Sequence, residues 1–278
     1  MKVILFGSNG MLGGYIKSYF LYNNINVVVL TRDNIDLSIA NHHELEKVLL
    51  NNNIDSKTIV INAAGVIPQV STQRQLHDYD YIKVNTVFPC ILSAIIEKHN
   101  AKMIHVTTDC VFSGNKGQYS ENDERDAPDM YGISKSMGEN LYCTIIRTSI
   151  IGEELRNKRS LLEWVRKNKG GTINGYKNHM WNGVTCLQLT KIILHIIKNN
   201  LYWIGVRHIH SPDIVSKYEL VTYINNIYDL GISINEYECG KTVDKSILTI
   251  YDDINNNINN NIPLIESQIK ELYNFKLI

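Results

Sequence analysis

The chain has 278 residues, 28 basic and 28 acidic, for no formal net charge, and five cysteines. That length holds one large domain, or a main domain with a smaller lobe, around a substantial core. The even charge balance shows no basic patch for nucleic acid, and no apolar run is long enough to span a bilayer. Cys90, Cys110, Cys143, Cys186 and Cys239 are dispersed, with no CxxC and no metal-ligand spacing. They read as free thiols in a reducing compartment, the cytoplasm, with no metal site expected.

Lys2–Phe6 is a continuous apolar run ending in glycine, which predicts a strand buried on both faces and not a signal peptide. Helix is expected over 10–23, strand over 26–30, helix over 42–51 and strand over 58–62. A long helix at 79–100, a strand at 102–107, a helix at 131–141 and a strand at 142–147 continue the alternation. Alternating strands and helices predict an α/β fold of the Rossmann type, a doubly wound parallel sheet covered on both faces.

Beyond residue 150 the pattern loosens into a smaller α/β lobe. Helices are expected at 159–169, 185–200, 217–228 and 267–275, with a short strand at 206–210. The stretch 172–184, with its glycines, reads as a loop, and the asparagine-rich 255–262 as a surface loop. Helix 185–200 is expected to pack back on the first domain. The division is then residues 1–150 plus about 184–208 for the dinucleotide domain, and 151–183 plus 209–278 for the lobe.

Gly7-Ser8-Asn9-Gly10-Met11-Leu12-Gly13 follows the first strand and opens a helix. Gly7 allows the tight turn, Gly10 lets the backbone approach a pyrophosphate, and Gly13 lets helix and strand pack closely. Phosphates would lie at the helix N-terminus, where free N–H groups and the dipole favour negative charge. An acid at the end of the second strand would hold the ribose 2′-hydroxyl of NAD; here Thr31-Arg32 stands there, and arginine favours the 2′-phosphate of NADPH. Asp33 follows at once and leaves NADH open. Asp36 and Leu37 are placed for adenine, and Ala63-Ala64-Gly65 lets the next strand pass close to the ribose and pyrophosphate.

Tyr131 and Lys135 lie at i and i+4, on one helix face. An ordinary tyrosine pKa of about 10 is too high for easy proton exchange near neutrality, and an adjacent ammonium lowers it. Lys135 can also bind the nicotinamide ribose. Thr108, in Thr107-Thr108-Asp109 at a strand end, can hydrogen-bond a substrate oxygen while Tyr131 delivers the proton.

These motifs, with Asn62-Ala-Ala-Gly65, Thr107-Thr-Asp-Cys-Val-Phe-Ser-Gly114 and Met130-Tyr-Gly-Ile-Ser-Lys-Ser-Met-Gly-Glu139, resemble the extended short-chain dehydrogenase/reductases, in their dTDP-4-dehydrorhamnose reductase branch. The resemblance implies a Rossmann domain and a lobe for a nucleotide-linked sugar. It implies NADPH-dependent reduction of a UDP- or dTDP-linked 4-keto-6-deoxy-L-hexose at C4, of the rhamnose or 2-acetamido type. Thr108, Tyr131 and Lys135 take the catalytic roles. Gly10, Met11, Leu12, Asp36, Leu37, Ala63, Ala64 and Gly65 take cofactor contacts, and Asp109, Cys110 and Phe112 fall on the substrate side. Homodimers are common in the wider group.

The chain departs from the branch at Cys110, at Ile150 and at His179-Met-Trp181-Asn182-Gly-Val-Thr185, all toward the substrate. Trp181 offers a ring for a nucleobase or a filler between lobes. Cys110 with Lys177 or His179 offers acid and base for epimerisation beside the ketone, or Cys110 is a small buried hydrophobe. A non-catalytic NADP-binding regulatory subunit is the alternative from a different class.

Overall fold

In the computed structural model, residues 2–68, 76–156 and 158–278 are described. The first half runs β1 (Lys2–Phe6), α1 (Met11–Tyr22), β2 (Val27–Leu30), α2 (His42–Asn51), β3 (Thr58–Asn62), α3 (Asp78–Ile82), α4 (Phe88–Lys98), β4 (Lys102–Thr108), α5 (Met130–Met137) and β5 (Thr144–Thr148). The second half adds β6 (Ile150–Ile151), α6 (Leu161–Lys167), β7 (Thr172–Tyr176), β8 (His179–Trp181), β9 (Val184–Thr185), α7 (Cys186–Lys198), β10 (Gly205–His208), β11 (Val215–Ser216), α8 (Lys217–Ile227), β12 (Ser233–Tyr237), β13 (Val243–Asp244), α9 (Asp252–Asn257) and α10 (Ile265–Asn274).

A six-stranded sheet in the order β10-β5-β4-β3-β1-β2 forms the centre, with every pair parallel. Successive residues of β1 bury to opposite faces. Val3 and Leu5 join α1 and α7, while Ile4 and Phe6 join α2 and α4 through Leu45, Leu49, Leu92 and Ile95. Full burial of each such side chain contributes roughly 1.5–3 kcal/mol, which is why the strand is apolar without alternation. β1 pairs with β2 on one side and β3 on the other, so the strand order reverses between β1 and β3 and opens a crevice at their C-terminal ends.

The helix expected over 79–100 runs on from α3 into α4 through a π turn at Lys83–Val87. Such bulges gather at functional sites. α5 stops at Met137, short of the expected 141, with Gly138 as its C-cap. A Cβ at Gly138 would lie 2.1 Å from the Asn85 carbonyl oxygen, so the π turn packs against the helix end.

Two expectations for the second half are corrected. The stretch 172–184 is not a loop: β7 pairs with β12, and β8 lies between β11 and β13. The asparagine tract is not a detached surface loop either. Ile254, Ile258 and Ile262 are buried on α9 and the turn after it, and Asn259 Nδ2 donates to the His208 carbonyl at 3.2 Å. Among the described residues, no helix is long and apolar enough to cross a membrane.

Candidate active site

The glycine turn performs the geometry its spacing predicts. Gly7 has φ +84, in the left-handed region, and a Cβ there would lie 2.6 Å from the Ala63 backbone. A Cβ at Gly13 would lie 2.1 Å from the Gly7 carbonyl oxygen. β1 and β3 thus meet α1 with no room for side chains. Gly10 is the N-cap of α1, brings no side-chain cap, and no acid stands in the first turn. The N-terminal amides and their dipole are left for an anion.

A cavity of about 410 Å³ runs over this turn, lined by Gly7–Gly10, Thr31, Arg32, Asp36, Leu37 and Ala63–Gly65. It is continuous through Ser8, Asn9, Gly10, Thr31 and Ala63–Gly65 with a second cavity of about 720 Å³, which also takes in Met11, Leu12, Thr108, Asp109, Cys110, Tyr131, Lys135 and Trp181. At the end of β2, Arg32 and Asp33 are both exposed, and Asp33 turns toward Thr31 Oγ1 at 3.4 Å. Asp36 closes a local turn, accepting from Ser38 N and Oγ. The cradle of Gly7, Gly10 and Gly13, the uncapped helix and the arginine at the rim fit NADPH.

The catalytic candidates converge in the second cavity. Asp129 caps α5 by accepting from Gly132 N at 2.8 Å, and a Cβ at Gly132 would lie 2.2 Å from the Cys110 carbonyl oxygen. The start of α5 therefore lies directly on the turn after β4. That contact sets the Tyr131 phenol against the Thr108 hydroxyl. Burial, and then the neighbouring Cys110, hold the phenol protonated far above the ordinary tyrosine range, while the Thr108 hydrogen bond pulls the other way. Burial brings the Lys135 ammonium down to about 8, with Glu139 acting to raise it.

Lys135 Nζ lies above Gly65, where a Cβ would come within 3.0 Å of it. Asn85, on the π turn, crowds the same point. It accepts from Val66 N at 2.9 Å and donates to Val66 O and to Ser134 Oγ. Motif reading missed Asn85, whose only signal is a polar residue within an apolar helix.

Thr108 Oγ1 donates to Asp109 Oδ1 and accepts from Cys110 N, both at 3.1 Å. Asp109 is buried, and desolvation raises its carboxyl against the pull of Lys245 and Lys217. Burial pushes the Cys110 thiol up to about 12. Lys217 and Arg156, neither anticipated, also line the second cavity.

Three residues expected on the substrate side lie elsewhere. Phe112 is fully buried, stacked on Tyr119 at 4.3 Å in a small core of its own. Asn182 spends its amide on Ile247, accepting from its N–H and donating to its carbonyl. His179 stacks on Tyr176 and meets Cys239 Sγ at 3.0 Å, outside the cavity lining. Lys177 pairs with Glu236 on the exposed edge of β7 and β12. Neither expected epimerisation base reaches Cys110.

A dinucleotide crevice that opens onto a half-buried Tyr131 and a buried Lys135 on one helix face defines an NAD(P)H-dependent oxidoreductase on a Rossmann-type fold. Residues 1–231 match the family described as the RmlD substrate binding domain, and the chain belongs to that family. A dTDP-4-dehydrorhamnose reductase from Aggregatibacter actinomycetemcomitans is 28% identical over 236 residues, covering 80% of this chain and 78% of that one. Two solved structures share the fold. A dTDP-4-dehydrorhamnose reductase from Clostridium acetobutylicum superposes with TM-score 0.80 at 20% identity, covering 99% of each chain. The enzyme of that name from Bacillus anthracis, in complex with NADP, has TM-score 0.80 at 18% identity over 98% of each chain.

Proposed function

We propose that this protein reduces the C4 ketone of a UDP- or dTDP-linked 4-keto-6-deoxy-L-hexose, of the rhamnose or 2-acetamido-rhamnose type, with NADPH. The carrying observation is that Tyr131, Lys135 and Thr108 line one cavity continuous with the glycine crevice. The named reductase relatives support the substrate class. In this reading residues 1–150 plus about 184–208 bind the dinucleotide, and 151–183 plus 209–278 bind the nucleotide sugar. The same reading carries a homodimer in the cytoplasm.

NADPH, when bound, supplies the hydride. The chain's residues do the rest. The Tyr131 phenol, kept protonated by its surroundings, gives its proton to the oxygen of the reduced carbon. The Lys135 ammonium, one turn along the same helix face, would stabilise the phenolate left behind and hold the ribose hydroxyls. Thr108 Oγ1 turns its proton from Asp109 to the ketone oxygen and orients it. Gly10, Met11 and Leu12 present the helix start to the pyrophosphate, and Arg32 meets the 2′-phosphate. The complete Thr/Tyr/Lys set favours turnover over a purely regulatory role.

The test is NADPH oxidation by the pure protein with a panel of dTDP- and UDP-4-keto-6-deoxyhexoses, with products identified by NMR, alongside Tyr131→Phe. The expected result is turnover with a C4 alcohol product, lost in Tyr131→Phe while NADPH still binds. Unchanged turnover in that variant would overturn the mechanism.

A further inference from the structure

The substrate cavity contains a cation that this reduction does not use. Lys217 is the first residue of α8 and lines the cavity with Thr108, Asp109, Cys110, Tyr131 and Trp181. Its stem is half-buried, and its ammonium lies over the Trp181 ring, 5.4 Å from the centroid. Among the described residues, no hydrogen-bond acceptor or ion-pair partner engages its Nζ.

Two costs attend that placement. An ammonium drawn from water without a partner loses hydration. A cation in the first turn of a helix also faces the positive end of the dipole. Burial accordingly pulls the Lys217 ammonium below the usual lysine range, although Asp109 and Cys110 favour its charge. Asp109 does not claim it as an ion pair, and Lys245 is the cation that most favours the Asp109 carboxylate. An anion seated in the cavity would offset both costs at once. The aromatic wall of Trp181 and the rigid start of α8 hold the ammonium toward that place before the ligand arrives.

We propose that Lys217 is the specificity-determining cation of the substrate site, holding an anionic oxygen of the bound sugar nucleotide at its sugar end. The proposal rests on the nucleotide-sugar reading above. Two parts of such a ligand carry the required chemistry: the phosphate next to the sugar, and a carboxylate on the ring. The neutral deoxysugar of that reading offers only the first; the second would require an acidic sugar in its place.

The test uses the full-length protein saturated with NADPH. Calorimetric affinities are measured for UMP, UDP, UDP-glucose and UDP-glucuronate, and for the thymidine mono- and diphosphates, with the parent, Lys217→Met and Lys217→Arg. Lys217→Met should weaken its anion by roughly ten- to a hundredfold, the scale of one charged hydrogen bond, and Lys217→Arg should restore most of it. A loss shared by UDP and both UDP-sugars but not by UMP assigns the sugar-proximal phosphate. A loss confined to UDP-glucuronate assigns a ring carboxylate. Unchanged NADPH affinity in Lys217→Met shows that the fold is intact, and Lys217→Gln serves if the methionine variant does not fold. Parent-like affinities of the neutral variant for every probe overturn the proposal while leaving the reductase reading in place. A parent protein that binds NADPH but none of these nucleotides overturns the nucleotide-sugar reading itself, and this proposal with it.

Discussion

Glu139 lies one helical turn beyond Lys135, yet its carboxylate is taken by Arg147. Arg147 Nε donates to Glu139 Oε1 at 2.9 Å and its Nη2 to Oε2 at 2.5 Å, and both side chains are buried. The third donor, Nη1, meets His208 Nε2 at 2.8 Å. This fork ties the end of α5 to β5 and β10, and so fixes the helix that carries Tyr131. Arg147→Met leaves a buried carboxylate with only the half-exposed Arg125 for company. It should lower stability by about 3–5 kcal/mol, the usual cost of breaking a buried pair from one side. Urea unfolding checks this, and a loss within the error of that measurement would refute the structural weight given to the pair.

Reduction should fail at alkaline pH through Lys135. Its ammonium titrates at about 8, below the ordinary lysine value of 10.5, because burial disfavours the charge. As pH rises through about 8 the free enzyme loses the cation that supports the Tyr131 phenolate, so kcat/KM for the ketone should fall there. Below that pH the charge is present and this limb is flat. Glu139 acts to raise the Lys135 value, so Glu139→Gln should move the alkaline limb to lower pH. A limb that does not move when Glu139 is neutralised would contradict this assignment.

Gly7 and Gly14 should behave oppositely when a methyl group is added. Gly7 has positive φ, and an added methyl there would lie 2.6 Å from the Ala63 backbone, so Gly7→Ala must push β1 and β3 apart at the crevice. NADPH affinity should drop by at least about tenfold, with a loss of stability in the range of a strained backbone, roughly 1–3 kcal/mol. Gly14 lies inside α1 with nothing within 4 Å of an added Cβ. Gly14→Ala should raise the stability of the cofactor-free protein by up to about 1 kcal/mol through helix propensity alone. Thermal melts with and without NADPH separate the two cases.

The first half of the chain was legible because its signals are local. A parallel strand buried on both faces must be an apolar run, as Lys2–Phe6 is, and the i, i+4 spacing of Tyr131 and Lys135 puts both on one face whatever surrounds them. The lobe hid because its strands are short and mixed. Thr172–Tyr176 alternates exposed and buried residues, but one of its two buried positions is Gly175, which carries no apolar side chain because Tyr218 packs over it. In the asparagine tract the composition masked a regular spacing, since Ile254, Ile258 and Ile262 recur every four residues and all are buried. In the site, Lys217 reaches the cavity by long-range packing of α8, and Asn85 comes beside Gly65 and Ser134 through an inserted π turn, neither of which a local motif records. Phe112, His179 and Asn182 are expected near the substrate from the family resemblance, Phe112 within its motif and the other two where the chain departs from it. Their side chains are engaged elsewhere: Phe112 in the small core with Tyr119, Asn182 with Ile247, and His179 with Tyr176 and Cys239.

Acid should unfold the protein through two buried histidines. His105, on β4, has Nδ1 3.1 Å from Asn62 Nδ2, and its Nε2 has no partner among the described residues. Burial, and then the nearby Lys135, bring its pKa from 6.5 down to about 3. His208 is held neutral in the same sense, mainly by burial, with Arg147 donating to Nε2 and Nδ1 facing the Leu248 carbonyl at 2.7 Å. The sign follows from proton binding. Below pH 6.5 the unfolded chain takes up protons that the folded chain refuses, so stability falls as pH drops from 6.5 toward 3. Each histidine contributes a slope on the order of 1.4 kcal/mol per pH unit inside its window. His105→Phe removes one titrating group and should flatten the dependence of unfolding free energy on pH between about 6 and 4, whatever it does to stability at neutrality. Denaturant unfolding at a series of pH values measures that slope, and an unaltered slope in the variant would mean that His105 is protonated in the fold.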